Sequence, residues 1–402
     1  MRPHRISIAV CALIFGLLQV RALAADSDGA SGCRIPAFGT DKAAVIAACT
    51  ALLEQAEASN ASEEKRAEII KIRAIALQVS GDVDAAVREF DRALKLNPKN
   101  TDVLLRQGFI VLNQREFETG WLEEEKFVKA VDYAQEVLSI DPKNSGAYVL
   151  IGNAATLSGN FAMAKPAYDK AIELKSDNIV ARISRFELYM RVRAFDAALK
   201  EIDDLLQLDT KQLDTMPFEI RGKEVTYRTM ARLERSALFK TMGRFEEADK
   251  AYDSWVEIEP GAVSYGWRAL YRMQRAQFDL AKADVEKALS YDPKFWFLNN
   301  LKAHIYSEAG EYDRAVESYT KAIAEFPKIG LNYWGRAIAL RAQKRTEEAI
   351  RDALRALDDP DFPGRIIGRV KKAGYLKVNS TGQDAKLALR DAVQACMLDE
   401  RC

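Results

Sequence analysis

The chain reads as all-α: a right-handed α-solenoid of stacked helical hairpins with helical caps at both ends. Three observations predict this. First, an alanine recurs at Ala86, Ala130, Ala164, Ala198, Ala248, Ala281, Ala315 and Ala349, at spacings of 44, 34, 34, 50, 33, 34 and 34 residues. Second, an aromatic residue stands three positions earlier at Phe127, Phe161, Phe195, Phe245, Phe278 and Tyr312, and a proline twelve later at Pro98, Pro142, Pro260, Pro293 and Pro327. Third, only 11 prolines and 21 glycines punctuate 402 residues of which 48% are apolar, the composition of a well-ordered helical chain. A fixed period of this size belongs to one continuous stack rather than to two or three separate cores, and it leaves no place for a strand within residues 67–363.

Residues 1–24 read as a cleavable export signal. Arg2 and Arg5 give a basic start, Ile6 to Val20 is largely apolar, and Ala22-Leu23-Ala24 offers a small-x-small cleavage site after Ala24. At ~1.5 Å per residue that run falls short of a ~30 Å bilayer core, so no membrane span is expected. Cys11 follows Val10 inside the run, the wrong surroundings for a lipid-modified cysteine. The whole chain carries 59 basic and 59 acidic residues and no basic patch, which argues against nucleic acid as a partner. Loss of Arg2, Arg5 and Arg21 with the signal leaves the remainder slightly acidic. The expected location is the periplasm or the exterior.

Residues 25–66 form the N-terminal cap, with an amphipathic helix over 41–57 that starts at Asp41 and turns Val45, Ala48, Cys49, Leu52 and Leu53 to one side. Four cysteines remain after the signal: Cys33 and Cys49 at one end, Cys396 and Cys402 at the other. A solenoid keeps its ends apart, so the expected disulfides are the local pairs Cys33–Cys49 and Cys396–Cys402.

Eight units follow, at 67–100, 101–144, 145–178 and 179–212, then 229–262, 263–295, 296–329 and 330–363. In the third, Tyr148, Ile151, Gly152 and Ala155 line one face of a first helix, Gly159-Asn160 breaks it, and Phe161, Ala164, Tyr168 and Ala171 form the inner stripe of a second. Small side chains at Gly152 and Ala164 allow close approach. Ala86-x3-Phe90 with Pro98, Ala248-x3-Tyr252 with Pro260 and Ala315-x3-Tyr319 with Pro327 resemble the tetratricopeptide repeat family, over about three quarters of the chain.

Three departures interrupt the pattern. The second unit has extra residues around Glu118–Phe127, including Trp121 among Glu123, Glu124 and Glu125. Phe186 replaces the small residue of the fourth unit. Residues 213–228 form an insertion between blocks 67–212 and 229–363, read either as a bend or as a longer first helix in the fifth unit. Residues 364–402 form the C-terminal cap, with helices over Ile366–Leu376 and Asp384–Leu398. There Gly374-Tyr375-Leu376 and Thr381-Gly382 faintly resemble small peptidoglycan-binding modules, without the aspartate before the second glycine.

Catalysis has little to stand on. His304 is the only histidine beyond the signal, and no glycine-rich phosphate loop occurs, so no enzyme activity, cofactor or metal is expected. The family resemblance implies that first helices line an inner face that holds a protein or peptide. On this face it places Trp267, Leu270 and Met273, then Phe297, Asn300 and His304, then Trp334, Ile338 and Arg341. Trp267 and Trp334 are open to a second reading as packing residues. The family's two-carboxylate clamp does not carry over: Lys71 fits one position, but Ile75 stands where asparagine is needed. The chain is therefore expected to be a non-catalytic interaction scaffold, or alternatively a cell-wall-associated factor whose tail touches glycan.

Overall fold

The computed structural model describes residues 32–36, 40–113, 122–209, 211–215, 217–359, 362–375 and 383–399. Residues 1–24, read above as an export signal, and Trp121, Leu376, Thr381, Gly382 and Cys402 lie outside them.

The chain divides into two compact units, the first comprising residues up to 218 and 224–243, the second residues 219–223 and 244 onward. In the first unit, α1 (Lys42–Ala58) is the cap helix, started by Asp41, whose carboxylate accepts from the Ala43 and Ala44 N–H groups. Four hairpins follow: α2 (Glu63–Ser80) with α3 (Val83–Leu96), α4 (Thr101–Asn113) with α5 (Glu124–Ile140), α6 (Ser145–Leu157) with α7 (Phe161–Leu174), and α8 (Ile179–Arg191) with α9 (Phe195–Leu206). The insertion is not an extension of the first helix of the fifth unit. It folds as a short helix, α10 (Lys211–Thr215), and a two-stranded hairpin of β1 (Pro217–Ile220) and β2 (Lys223–Thr226). The expectation of a strand-free repeat region is corrected here. Helix α11 (Tyr227–Thr241) completes the first unit by packing on α9.

The second unit contains α12 (Phe245–Ile258), the hairpins α13 (Ala262–Gln274) with α14 (Phe278–Tyr291), α15 (Trp296–Glu308) with α16 (Tyr312–Glu325) and α17 (Gly330–Ala342) with α18 (Thr346–Ala356), and the cap helices α19 (Pro363–Lys372) and α20 (Gln383–Leu398).

All eight alanines of the period are fully buried. The aromatic residues that precede them behave differently from expectation. Phe161, Phe195, Phe245, Phe278 and Tyr312 begin their helices and remain half-buried or exposed, because the first turn of each second helix lies at the edge of the hairpin. The filling side chains are those four residues after the alanine, Phe90, Tyr168, Tyr252 and Tyr319, all buried.

Gly152 shows how tight the approach is. A Cβ there would lie 2.5 Å from Cε1 of Tyr168. The Tyr168 ring cannot swing aside, since its hydroxyl donates to Asn153 Oδ1 at 2.7 Å and lies 3.0 Å from Thr156 Oγ1. Among the described residues, each turn within a hairpin of one unit carries one residue at positive φ: Gly81, Gly159, Arg193, Ala276, Gly310 and Lys344. Three are glycine. The other three hold a Cβ in the left-handed region, at a cost of about 1 kcal/mol each.

A second recurring position was not anticipated. Arg73, Gln107, Arg185, Arg268, Lys302 and Arg336 stand at equivalent sites on six first helices, the third unit having Ile151 there, and reach carboxylates about sixteen residues away. Arg185 donates to Asp169 on the preceding second helix at 2.6 Å and to Glu201 on its own at 2.6 Å. Arg268 repeats this with Asp253 at 2.8 Å and Asp284 at 2.9 Å. Arg336 joins Thr320 at 3.0 Å and Asp352 at 2.6 Å. Arg73 reaches Glu89 at 3.1 Å, Gln107 reaches Asp91 at 2.7 Å, and Lys302 reaches Glu286 at 2.6 Å. Arg73 also donates to Thr50 at 3.2 Å, so Arg73, Arg185, Arg268 and Arg336 each tie three helices together.

Two outcomes are expected in urea unfolding. Gly152→Ala should lower stability by ~1–3 kcal/mol, the usual penalty of overpacking a rigid site. Lys344→Gly should raise it by ~0.5–1 kcal/mol by relieving the left-handed Cβ.

Candidate interaction surface

The nine side chains expected on the inner face separate into three groups. Trp334 is only 7% exposed and packs on Phe362 with ring centroids 6.0 Å apart, within the core beneath the C-terminal cap. Ile338 lies half-buried against the same cluster. The Arg341 guanidinium donates to the carbonyls of Cys396 at 3.3 Å and Asp399 at 3.4 Å, capping the negative end of α20. These three serve the cap, because α19 and α20 give α17 neighbours that the repeat pattern alone did not supply.

The second group is buried within the stack. Asn300 (7% exposed) donates from Nδ2 to Asn332 Oδ1 at 2.9 Å, a side-chain pair joining α15 to α17. Its expected groove exposure is corrected accordingly. Met273 is likewise 7% exposed and Phe297 5% exposed. Neither offers an open surface.

The third group keeps contact with solvent. Trp267 and Leu270 on α13 are half-buried, and the His304 side chain on α15 is 44% exposed, with Nε2 3.3 Å from Glu308 Oε1. Trp267 lies 5.5 Å from the Phe297 ring, and Phe297 is 5.6 Å from Phe295 and 6.3 Å from Trp296. The result is an aromatic shelf across α13 and α15.

That shelf is occupied by the chain itself. Arg221 and Gly222 form the two-residue loop between β1 and β2, with φ of 53° and 80°, the signature of a type I′ turn. The Arg221 guanidinium sits 4.6 Å from the Phe297 ring centre and 5.5 Å from that of Trp267. Trp296 Nε1 donates to the Arg221 carbonyl at 2.9 Å, and Lys223 pairs with Asp292 at 2.6 Å. Asparagine or glycine suits the first turn position, whereas arginine there costs about 1–2 kcal/mol. The cation–π contacts offset a similar amount.

The profile described as "Tetratricopeptide repeat" matches residues 73–119 and 300–365, and a second profile of the same description matches residues 145–178. The chain carries tetratricopeptide repeats. Among curated proteins, it is 25% identical over 215 residues to Hsp70-Hsp90 organizing protein 1 of Glycine max, covering 52% of this chain and 35% of that one. It is 23% identical over 270 residues to mitochondrial import receptor subunit TOM70 of Homo sapiens, covering 64% and 40%. The chain thus spans well under half the length of either relative. Among solved structures, a tetratricopeptide repeat protein from Parabacteroides merdae superposes with a TM-score of 0.44 at 18% identity, covering 73% of this chain and 98% of that one. Yeast Tom70 gives 0.41 at 14% identity, covering 89% and 96%.

In the first unit the inner positions of the tetratricopeptide first helices are mostly consumed by packing. Lys71 pairs with Glu68 at 2.7 Å, and Arg106 with Asp102 at 3.2 Å. Asn153 is held by Tyr168, and Ile75, Phe109 and Val149 are buried. Glu187 and Arg191 remain accessible. Cys33 and Cys49 form a disulfide with sulfurs 2.10 Å and Cα atoms 4.6 Å apart, fastening the leading loop to α1. Cys396 is disulfide-bonded and buried, while Cys402 lies outside the described residues. Tyr375 is engaged at the cap, its hydroxyl against the Asp399 carboxylate and its N–H on the Val370 carbonyl. Among the described residues, no helix is long and apolar enough to cross a membrane.

The most perturbed carboxylate is Glu234 on α11, in the first unit. Burial pushes it up to about 8, helped by the nearby charge of Glu187 and opposed by Lys240. The unfolded chain releases this proton above pH ~4.5, whereas the folded chain holds it until about 8, so stability is full below ~4.5 and declines as pH rises toward 8. Glu234→Gln should remove that decline. Thermal unfolding of the variant at pH 8 should show ~2–4 kcal/mol more stability relative to the native chain than at pH 5.

Proposed function

We propose that the chain is an exported, non-catalytic tetratricopeptide scaffold that holds a protein or extended peptide on the first-helix face of its second unit. The observation that carries this reading is the aromatic shelf of Trp267, Phe297 and Trp296, flanked by accessible Leu270 and His304, which accepts a non-helical segment through both ring and main-chain contacts. Large aromatics with a few polar neighbours are the composition of binding hot spots. The names of two relatives, an organizing protein and an import receptor, accord with a role in holding other proteins. Export is supported by the signal pattern of residues 1–24 and by the Cys33–Cys49 bond, which suits an oxidising compartment. The alternative of glycan contact through the tail gains nothing from Tyr375, whose phenol is already committed to the cap.

A photo-crosslinking residue at Leu270 or His304, introduced into the full chain in its native envelope, should capture a protein partner. The same probe at Lys321 or Glu317, exposed on the second helix α16, should not. Equal capture from both faces would remove the reading.

A further inference from the structure

We propose that the shelf of Trp267, Phe297 and Trp296 is an arginine-reading site, and that Arg221 at the hairpin tip is its built-in stand-in for the partner. The inference rests on the scaffold reading above and names the chemistry of what the scaffold holds: a turn that presents an arginine, with a second cation two positions later.

Three independent features of the shelf point this way. The cis occupant is arginine, a planar cation laid against two aromatic rings, at a turn position whose left-handed backbone favours glycine or asparagine and penalises arginine. That cost makes sense where the side chain, rather than the turn, is what the site requires. Next, the shelf has a complete recognition set beyond the rings. Trp296 supplies an indole N–H to the main-chain carbonyl of the arginine, and Asp292 supplies a carboxylate to the cation two residues on, Lys223. Finally, one polar group of the shelf is left unused. Trp267 Nε1 is buried and has no hydrogen-bond partner. A partner turn with an acceptor at that point gains a hydrogen bond the hairpin lacks, and so has a means to displace it.

A tethered occupant competes at an effective concentration in the millimolar range. The native chain is therefore expected to bind a free arginine turn weakly, and removal of the tip side chain to expose the shelf.

The probe is a cyclised peptide carrying residues 217–226, and a twin with citrulline in place of its arginine, a neutral group of the same shape. Binding to the full chain is followed by calorimetry, with helical circular dichroism recorded for every variant. The expected result is weak binding to the native chain, at least ~10-fold tighter binding to Arg221→Ala, an intermediate gain for Arg221→Lys, and loss of binding for the citrulline twin. Trp267→Leu in the Arg221→Ala background should cancel the gain. Lys223→Ala provides a second release of the tip should Arg221→Ala lose helicity. Equal affinity for the native and released chains, or equal affinity for both peptides, overturns the proposal. If Leu270 captures a partner while the peptide ignores every variant, the shelf inference fails alone. If the peptide binds as expected while Leu270 captures nothing, the scaffold reading fails and the arginine site stands.

Discussion

Everything in this molecule depends on how closely two helices of one hairpin can approach. The fully buried alanines, from Ala86 to Ala349, remove side-chain bulk at one recurring point on each second helix. At four of them a large residue four positions later, Phe90, Tyr168, Tyr252 or Tyr319, fills the remaining space. Where that residue is Tyr168, its partner is Gly152, with no room for a methyl group. The fourth hairpin reverses the sizes: Phe186 stands at the position of Gly152 and Ile202 at that of Tyr168, and both are buried. The largest side chain thus moves from the second helix to the first, a redistribution that close-packed cores can accommodate.

The recurring basic position adds a directional constraint to this isotropic one. Apolar contact alone lets one hairpin rotate slightly on the next. An arginine bound to carboxylates on two different second helices does not, because a shifted hairpin leaves a charge half-buried and unpaired, a loss of ~3–5 kcal/mol. Asp284, which holds both Arg268 and Arg272 while nearly inaccessible, is the strongest case. The Asn300–Asn332 pair acts similarly between neighbouring first helices.

The architecture was legible because it repeats. The alanine period, the prolines two residues past helix ends at Pro98, Pro142, Pro260, Pro293 and Pro327, and the Gly159-Asn160 break each carry a local mechanism that tertiary context does not override. The arginine ladder recurs too, though with Gln107, Ile151 and Lys302 in its place in three units, and charge at a fixed spacing resembles a solvated face until the partner helix is in place. The surface was less legible. Trp334 and Arg341 occupy groove positions by register, yet the caps α19 and α20 bury them, and a repeat pattern says nothing of what lies beyond its last unit. The insertion was hardest to read: its Arg221-Gly222 turn sits between strands too short to show alternation, and its contacts with Trp267 and Phe297 lie far along the chain.

The placement of the Cys33–Cys49 bond has a consequence for how the array comes apart. A one-dimensional stack loses its outermost elements first, since each has a neighbour on one side only. The cross-link ties the leading loop to α1, whose Cys49 sits in one cluster with Ile70 and Ile75 of α2, so that end cannot peel residue by residue. Oxidation therefore turns gradual fraying of the leading edge into an all-or-none event, and a reducing milieu would restore the zipper.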